Sequence, residues 1–477
     1  MGEYITIIWD AETPSAAAVP WDNSMLVVHG SEASLSETTI YAVTNDDWST
    51  VLSNAGFSQN SQAYKSTSNF FSASPTPGGN LYVLALVSGS VDIYSDVPMN
   101  KVTDYIYETP IKPPLGFYGQ EQVRYYPDTD LTGFWINKAD GSQGVGFTIE
   151  EDYLNNWTGR LNFINGLSGN IIDKPPRTGS KVTCSFRIGN SMADLSEYIE
   201  KYNINLITAA YSNSRTSENF TGSNTYFGNQ ANDLSRFTNA ISGKNAILFW
   251  SLPGGAGPNE SGVGFGLHWK NLRNFIGQRE DVSVIKATPS SSNHDMAAGL
   301  MGMVAGEHPH DTLSFKVPHM GIFDEDSLIN RSYWSDGQII SIMENRKLTG
   351  NPYQLSYGFT LGTGYASRIH YVRCKYIISA NLINGIWALL STRKVRMSYA
   401  GMQLVRNKIS GIFRILQLQG IVDGLAYIKI PIEDDLKNNT AAGQAARAAR
   451  TIPSIEIGFY WYSSLERIII TGIRNEA

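Results

Sequence analysis

Cysteine is nearly missing from this chain. Only Cys184 and Cys374 occur in 477 residues, far apart in sequence. Two such cysteines give neither a disulfide framework nor a zinc-ligand spacing, and reduced assembly is the simplest expectation. A basic surplus is also lacking: 37 Lys and Arg stand against 43 Asp and Glu, a net charge of -6, which argues against a nucleic-acid binder. No run reaches the roughly 18–20 apolar residues of a membrane span. Met1-Gly2-Glu3 has no basic start and no apolar stretch after it, so no secretory leader is expected. G-x-S-x-G, H-E-x-x-H, C-x-x-C and the P-loop pattern are all absent, which removes the common signatures of nucleophile-elbow hydrolases, zinc proteases, thiol–disulfide enzymes and nucleotide phosphate binders.

What remains is a globular, weakly charged chain. Hydrophobic residues make up 42% and charged residues 17%, with 44 glycines and 25 tyrosines, a balance that favours β-structure and loops. The length suits two to four domains with a large core.

The two ends carry the strongest pattern. Near the C-terminus an Ala- and Arg-rich run, 441–450, leads into two β-prone segments, 455–461 and 467–473. In the first, Ile455, Ile457, Phe459 and Trp461 alternate onto one face. A hairpin so apolar is marginal alone in water. Near the N-terminus, Glu3 to Trp9 is a short β-prone strand joined to the body by the small-residue linker 11–20. These strands either pair within their own domain or act as arms that add to the sheets of other subunits.

Between the ends the texture changes twice. Residues 23–89 read as α/β, with strands at 25–29, 39–43 and 81–87 and helices opening at Asp46-Asp47-Trp48 and Gln62. Residues 90–190 hold many turn signals and few helical periods, which reads as an inserted β-rich domain. From 191 to 436 the alternation resumes, with helices before the strands 205–210, 246–252, 282–286 and 312–317. Two long amphipathic helices follow. Ile378, Leu382, Ile386 and Leu389 form one apolar face, and Met402, Val405, Ile409, Ile412 and Leu416 the other.

Chemistry-bearing clusters are weak. Glu307-His308-Pro309-His310-Asp311 is the most metal-like, but histidines at i, i+2 need a third ligand, for which His294 and Asp295 are the candidates, and it reads better as a polar loop. Gly262-Val263-Gly264-Phe265-Gly266 lacks both the dinucleotide spacing and a P-loop lysine. The acidic pairs Glu150-Glu151 and Asp434-Asp435 read as solvated turns or helix starts. No catalytic, cofactor-binding or metal site is expected. The basic group Arg393-Lys394-Val395-Arg396 with Arg406, Lys408 and Arg414 is either a solvated face or a patch for an acidic protein partner.

Four segments, in order, resemble the contractile tail sheath proteins of tailed viruses of prokaryotes and of related phage-derived injection systems. The first runs from Gln62-Ala63-Tyr64-Lys65 through Phe70-Phe71 and Pro75 to the strand 81–87. The second is the glycine-punctuated 297–306 running to Phe315-Lys316-Val317-Pro318, where His319 departs from the pattern. The third spans Tyr371-Val372-Arg373 to Gly420, with Met397-Ser398-Tyr399-Ala400-Gly401 between the helices. The fourth is Gln444 to Pro453 before the terminal strands.

The resemblance implies a mixed α/β fold: a sheath-like core of sheet with flanking helices, an inserted β-rich domain, and extended N- and C-terminal β-arms. It divides the chain into an arm and linker at 1–22, a first core part at 23–89, an outward domain at 90–190, the rest of the core at 191–436, and a linker and arm at 437–477. It implies a non-enzymatic subunit that polymerises as stacked rings around an inner tube and contracts. Its partners would be itself, the inner tail tube protein, and baseplate and tail terminator proteins, without nucleic acid or membrane insertion. It would reside in a virion tail assembled in the host cytoplasm. Tyr4, Ile5, Ile7, Trp9, Ile455, Ile457, Phe459, Trp461, Ile468 and Ile470 would be inter-subunit strand residues. Lys394, Arg396, Arg406 and Lys408 would face the tube. The competing readings are a β-rich cell-surface or glycan-binding protein with 90–190 as its binding module, and a hydrolase with scattered carboxylates.

Overall fold

A computed structural model of the protein describes residues 23–86, 92–103, 106–110, 116–117, 123–126, 134–138, 146–151, 157–163, 181–188, 190–210, 230–252, 257–261, 265–286, 296–314, 316, 328–344, 353–392, 395–452 and 454–461. They form two compact units. One gathers the described residues within Met1–Ala33, Thr39–Ala85 and Tyr198–Ala477, the other those within Ser34–Thr38 and Leu86–Glu197.

The larger unit begins with strand β1 (Ser24–His29), β2 (Thr39–Val43), helices α1 (Trp48–Asn54) and α2 (Gln62–Phe71), and β3 (Leu81–Leu86). In the smaller unit β4 (Asp92–Pro98), β5 (Asn100–Lys101), β6 (Ile106–Glu108), β7 (Gly116–Phe117), β8 (Val123–Tyr126), β9 (Phe134–Lys138), β10 (Gly146–Glu151), β11 (Trp157–Phe163) and β12 (Lys181–Ile188) make one sheet, mostly antiparallel in its pairings. Tyr107, Val123, Leu161, Val182 and Cys184 are buried on it.

Helix α3 (Asn190–Lys201) leads back to the larger unit. There follow β13 (Leu206–Ala209), α4 (Gln230–Ile241), β14 (Ile247–Leu252), α5 (Leu272–Ile276), β15 (Val282–Lys286), α6 (Met296–Gly306), α7 (Leu328–Asp336), β16 (Ile342–Glu344) and β17 (Tyr353–Leu355). The central sheet has the order β15-β14-β13-β1-β3-β2. β1, β13, β14 and β15 run parallel, and β2 pairs antiparallel with β3. Every residue of β13, β14 and β15 is buried. Burial on both sides is expected of a parallel sheet covered on both faces, and it takes in even the polar Thr208, Ser251, Ser283 and Lys286.

Helix α6 shows how tightly that cover fits. It is buried from Met296 to Ala305 and packs on α2, β13 and β14. A Cβ added at Gly302 would fall on the carbonyl oxygen of Phe70, and one at Gly306 on that of Pro75. The two glycines, one turn apart, let the backbone of α6 lie directly against the end of α2 and the turn after it. Helix α2 itself is started by Ser61, whose Oγ accepts a hydrogen bond from the Tyr64 N–H.

The last described residues form a helical layer with a small sheet: α8 (Ile369–Thr392), α9 (Tyr399–Leu418), β18 (Val422–Lys429), α10 (Glu433–Asn438), α11 (Ala441–Ala449) and β19 (Glu456–Trp461). Met402, Val405, Ile409, Ile412 and Leu416 are all buried, as the spacing predicts.

Two expectations are corrected here. The strand expected at 312–317 is not formed by its described residues, because local bonds replace a ladder: Thr312 Oγ1 accepts from the Ser314 N–H and Lys316 N–H donates to Leu313. The expected linker 437–451 is largely helical. Thr440 caps α11 by accepting from the Gly443 N–H, alanine favours the helix, Ala446 is buried, and Arg447 donates to the Leu436 carbonyl.

Two predictions follow from this packing. Gly302→Ala forces α6 away from Phe70 and lowers stability by about 1–3 kcal/mol in urea titration, whereas Gly411→Ala, on an open helix face, does not. His29, at the end of β1, is pushed down to about 4 by burial. The unfolded chain takes up this proton near the ordinary histidine value and the folded chain only near 4. Stability therefore falls as pH drops through that window, with a slope approaching ~1.4 kcal/mol per pH unit, and His29→Gln removes that component.

Candidate assembly surface

The described residues among those expected to act between subunits lie in the C-terminal layer, and the structure sorts them. Strand β19 pairs antiparallel with β18, from Lys429↔Glu456 to Val422↔Trp461. Ile457, Phe459 and Trp461, with Ile455 just before the strand, pack against the core that α8 and α9 share. Phe459 meets Phe413 of α9 at 5.4 Å and Trp461 at 4.9 Å, and Trp461 meets Tyr371 of α8 at 5.4 Å. The ladder of the first segment goes to β18 of the same chain on one edge; the second half of the expected hairpin, 467–473, lies outside the described residues. The cause is the alternating apolar face, which finds its cover on α9. Tyr4, Ile5, Ile7, Trp9, Ile468, Ile470 and Lys394 lie outside the described residues.

Among the described residues β18 and β19 make a sheet of two strands only. Each therefore has an outer edge of backbone donors and acceptors without a neighbouring strand there. On the solvent side Tyr427 lies across from Gly458 and covers it, Tyr460 is 63% exposed, and Lys429 pairs with Glu456 at 3.2 Å.

The basic residues separate. Arg406 and Lys408, two positions apart, lie about 200° apart around α9. Arg406 turns toward the chain's own sheet, where its guanidinium binds the Glu433 carboxylate and the Ile428 carbonyl. It ties α9 to β18 and α10, with 31% of its side chain still exposed. Lys408 runs its stem over Gly385 of α8. Arg396 and Arg414 are exposed.

Two features of this surface escaped the sequence reading. Residues 345–422 contain eleven Lys and Arg and no Asp or Glu, in a chain that is acidic as a whole. Outside the buried stripe of α9, Leu404, Ile415 and Leu418 are exposed, at 38%, 55% and 82%, with Trp387 and Leu390 exposed on α8. The spacings of 11 and 3 on α9, about three turns and one, were readable as a second apolar stripe. Sequence also gave no hint of the Lys375–Glu280 ion pair, 2.6 Å long and about nine-tenths buried, which ties α8 to the segment before β15.

The clusters with chemical potential are used structurally. Glu307 binds Lys316 at 2.7 Å, and among the described residues no group of three His, Cys, Asp or Glu is arranged to hold a metal ion. His294, Asp295 and Gly262 to Gly264 lie outside those residues, while Phe265 packs on Trp269 and Phe275. Burial pushes the thiols of Cys184 and Cys374 up to about 12, although Arg373 counters it at Cys374. Neither is a ready nucleophile at neutral pH. No described helix is long and apolar enough to cross a membrane.

No protein-family model matches the sequence, and no curated protein matches it at a significant level. Solved structures do match in backbone course. The sheath tail protein of Desulfitobacterium hafniense aligns over 88% of this chain and 90% of its own, with TM-score 0.42 and 10% identity. The chain is similar to sheath tail proteins. That of Listeria innocua covers 88% of this chain and 91% of its own, with TM-score 0.42 and 9% identity. A chain from the baseplate of the anti-feeding prophage covers 99% and 98%, with TM-score 0.49 and 12% identity.

The difference between the two arginines is measurable. Arg406→Ala leaves the Glu433 carboxylate, itself largely buried, without its cation and costs about 1–3 kcal/mol in urea unfolding. Arg396→Ala, on the surface, stays within about 0.5 kcal/mol of the parent.

Proposed function

We propose that the chain is the structural, non-enzymatic subunit of a contractile tail sheath, polymerising as stacked rings around an inner tube and contracting to drive that tube through a target envelope. The observation that carries this reading is the β18–β19 ladder, held on α9 and open at both edges among the described residues. A two-stranded ribbon with free edges is a template for further strands. The β-prone segments 3–9 and 467–473 are the strands this chain has to give, and each would add to the ladder of a neighbouring copy. Backbone bonds would supply sequence-tolerant strength, and alternate side chains would fix the register.

The inner tube would be held by the acid-free surface of α8 and α9. Arg396 and Lys408 keep the role of screened contacts to an acidic tube, and Lys394 belongs to the same proposal. Contraction would be a collective change from one subunit packing to a tighter one, with its energy stored at assembly. Residues 90–190 would face outward, baseplate and tail terminator proteins would meet the ends of the polymer, and the assembled particle would be a virion tail or an injection device.

Negative-stain electron microscopy of the purified chain at rising concentration, alone and with a tube protein, tests this directly. Striated hollow tubes or stacked rings are expected. Truncation after Trp461 keeps β19 in the chain's own core, so the variant should give the parent circular dichroism spectrum yet form no tubes. Tubes from that truncation overturn the strand-exchange reading. Arg396→Glu with Lys408→Glu should weaken co-assembly with the tube at low salt and leave self-assembly intact; unchanged co-assembly removes the tube-facing role.

A further inference from the structure

Glycines in the helices of this chain mark places where backbone meets a neighbour. A Cβ at Gly302, Gly306, Gly401 or Gly443 would strike the carbonyl oxygen of Phe70, Pro75, Arg396 or Asp435, and one at Gly385 would strike the side chain of Ile412. Gly411, in the middle of α9, is different. Among the described residues no heavy atom lies within 4 Å of where its Cβ would stand. Glycine weakens a helix interior relative to alanine, and no described residue uses the space that Gly411 leaves.

The notch lies in an apolar stripe. At about 100° per residue, Leu404, Gly411, Ile415 and Leu418 fall within about 60° of one another. Their face is turned away from the buried stripe of Met402, Val405, Ile409, Ile412 and Leu416. Leu404, Ile415 and Leu418 are exposed, and the two leucines stand one heptad before and one after the glycine. Lys408 borders the stripe on one side and Arg414 on the other, and α9 carries no Asp or Glu.

Charge decides what can lie there. A second copy of α9 crossing at Gly411 would set Lys408 and Arg414 against their own kind, a like-charge contact that opposes docking. A partner with an apolar ridge and carboxylates on both sides of it meets the same surface without that repulsion. We propose that Gly411 is a docking notch, where the backbone of an acidic protein, the inner tube of the reading above, crosses α9 while its apolar side chains pack between Leu404 and Leu418. The inference rests on the tube-holding role proposed for α8 and α9, and adds that the contact is closed by packing at Gly411 as well as by charge. The two contributions respond differently to salt. Charge contacts at Lys408 and Arg414 are screened as salt rises, whereas close packing is not.

Two measurements on the full chain with the purified tube protein test it. Gly411→Leu, for whose Cβ the free chain has room, should keep the parent circular dichroism spectrum and urea midpoint. It should weaken binding to the tube protein by about tenfold, at low and at high salt alike. In parallel, Ile415→Cys reports cover on the stripe through its rate of maleimide labelling, since Cys184 and Cys374 are buried. The introduced thiol should react freely in the chain alone, dilute or concentrated, and slowly once the tube protein is added. Equal tube binding by the parent and Gly411→Leu overturns the notch and leaves the sheath reading standing; a parent that binds no tube protein overturns both. Protection of the introduced thiol in the chain alone overturns the notch as well. In dilute solution it assigns the stripe to a segment of the same chain, and on concentration to a second copy.

Discussion

A ribbon of two strands does not stand in water by itself, and the C-terminal layer is arranged around that constraint. β18 and β19 persist because their inner face is buried on α9: Ile457, Phe459 and Trp461 meet a helix stripe that includes Phe413 and Leu416. Each large apolar side chain so covered contributes on the order of 1.5–3 kcal/mol when fully buried. α9 in turn is held to α8 at Gly385, where Ile412 comes close enough that no Cβ would fit. Support thus arrives from one side only. Among the described residues the ladder's backbone edges stay outside the hydrophobic contact, so a further strand could add there without any change in the core.

The same geometry divides the positive charge. α9 has one stripe inward, and what flanks that stripe is drawn into the fold. Arg406 sits beside β18 and α10 and is spent on Glu433 and the Ile428 carbonyl, while Lys408 and Arg414 lie elsewhere around the helix. A count of basic residues in sequence therefore overstates the charge that faces outward. The absence of acids from 345–422 works the other way: the cations left outside meet no carboxylate of their own segment. Exposed Leu404, Ile415 and Leu418 lie among them. A surface both apolar and basic suits a partner contact that salt weakens and does not abolish.

Periodicity made the core legible. The apolar run 81–87 marked β3, the alternation of helical and strand segments marked β14 and β15, and the 3- and 4-residue spacing marked α8 and α9 because one face of each is covered. The reading failed where a signal had two outcomes. Thr312 to Ser314 carries β-branched and polar residues that suit a strand, yet the hydroxyl of Thr312 bonds locally and turns the chain. Residues 441–449 looked like a linker because they are small, and the same alanines make a helix once Thr440 caps it. The alternation of 455–461 announced a strand without naming its partner, since pairing is decided by which apolar surface is within reach. The ion pairs Arg406–Glu433 and Lys375–Glu280 join residues 27 and 95 positions apart, and no local pattern carries that information.

The glycines of α6 separate two kinds of legibility. Their spacing was visible in sequence, but its meaning depends on what lies opposite. Gly302 and Gly306 face the backbone at Phe70 and Pro75, so both ends of the resemblance noted in sequence, the aromatic-ended helix and the glycine-punctuated helix, are halves of one contact. A helix placed against bare backbone cannot shift by a fraction of a turn without a side chain striking a carbonyl. α6 therefore fixes β13 and β14 against α2 as a rigid block. The loop that leaves α6 one residue after Gly306 carries Glu307, whose carbonyl receives Arg373 of α8. Whatever motion the C-terminal layer makes, this block is the frame it moves against, because a buried helix with no room for a methyl group has less freedom than a layer tied on by hydrogen bonds and ion pairs.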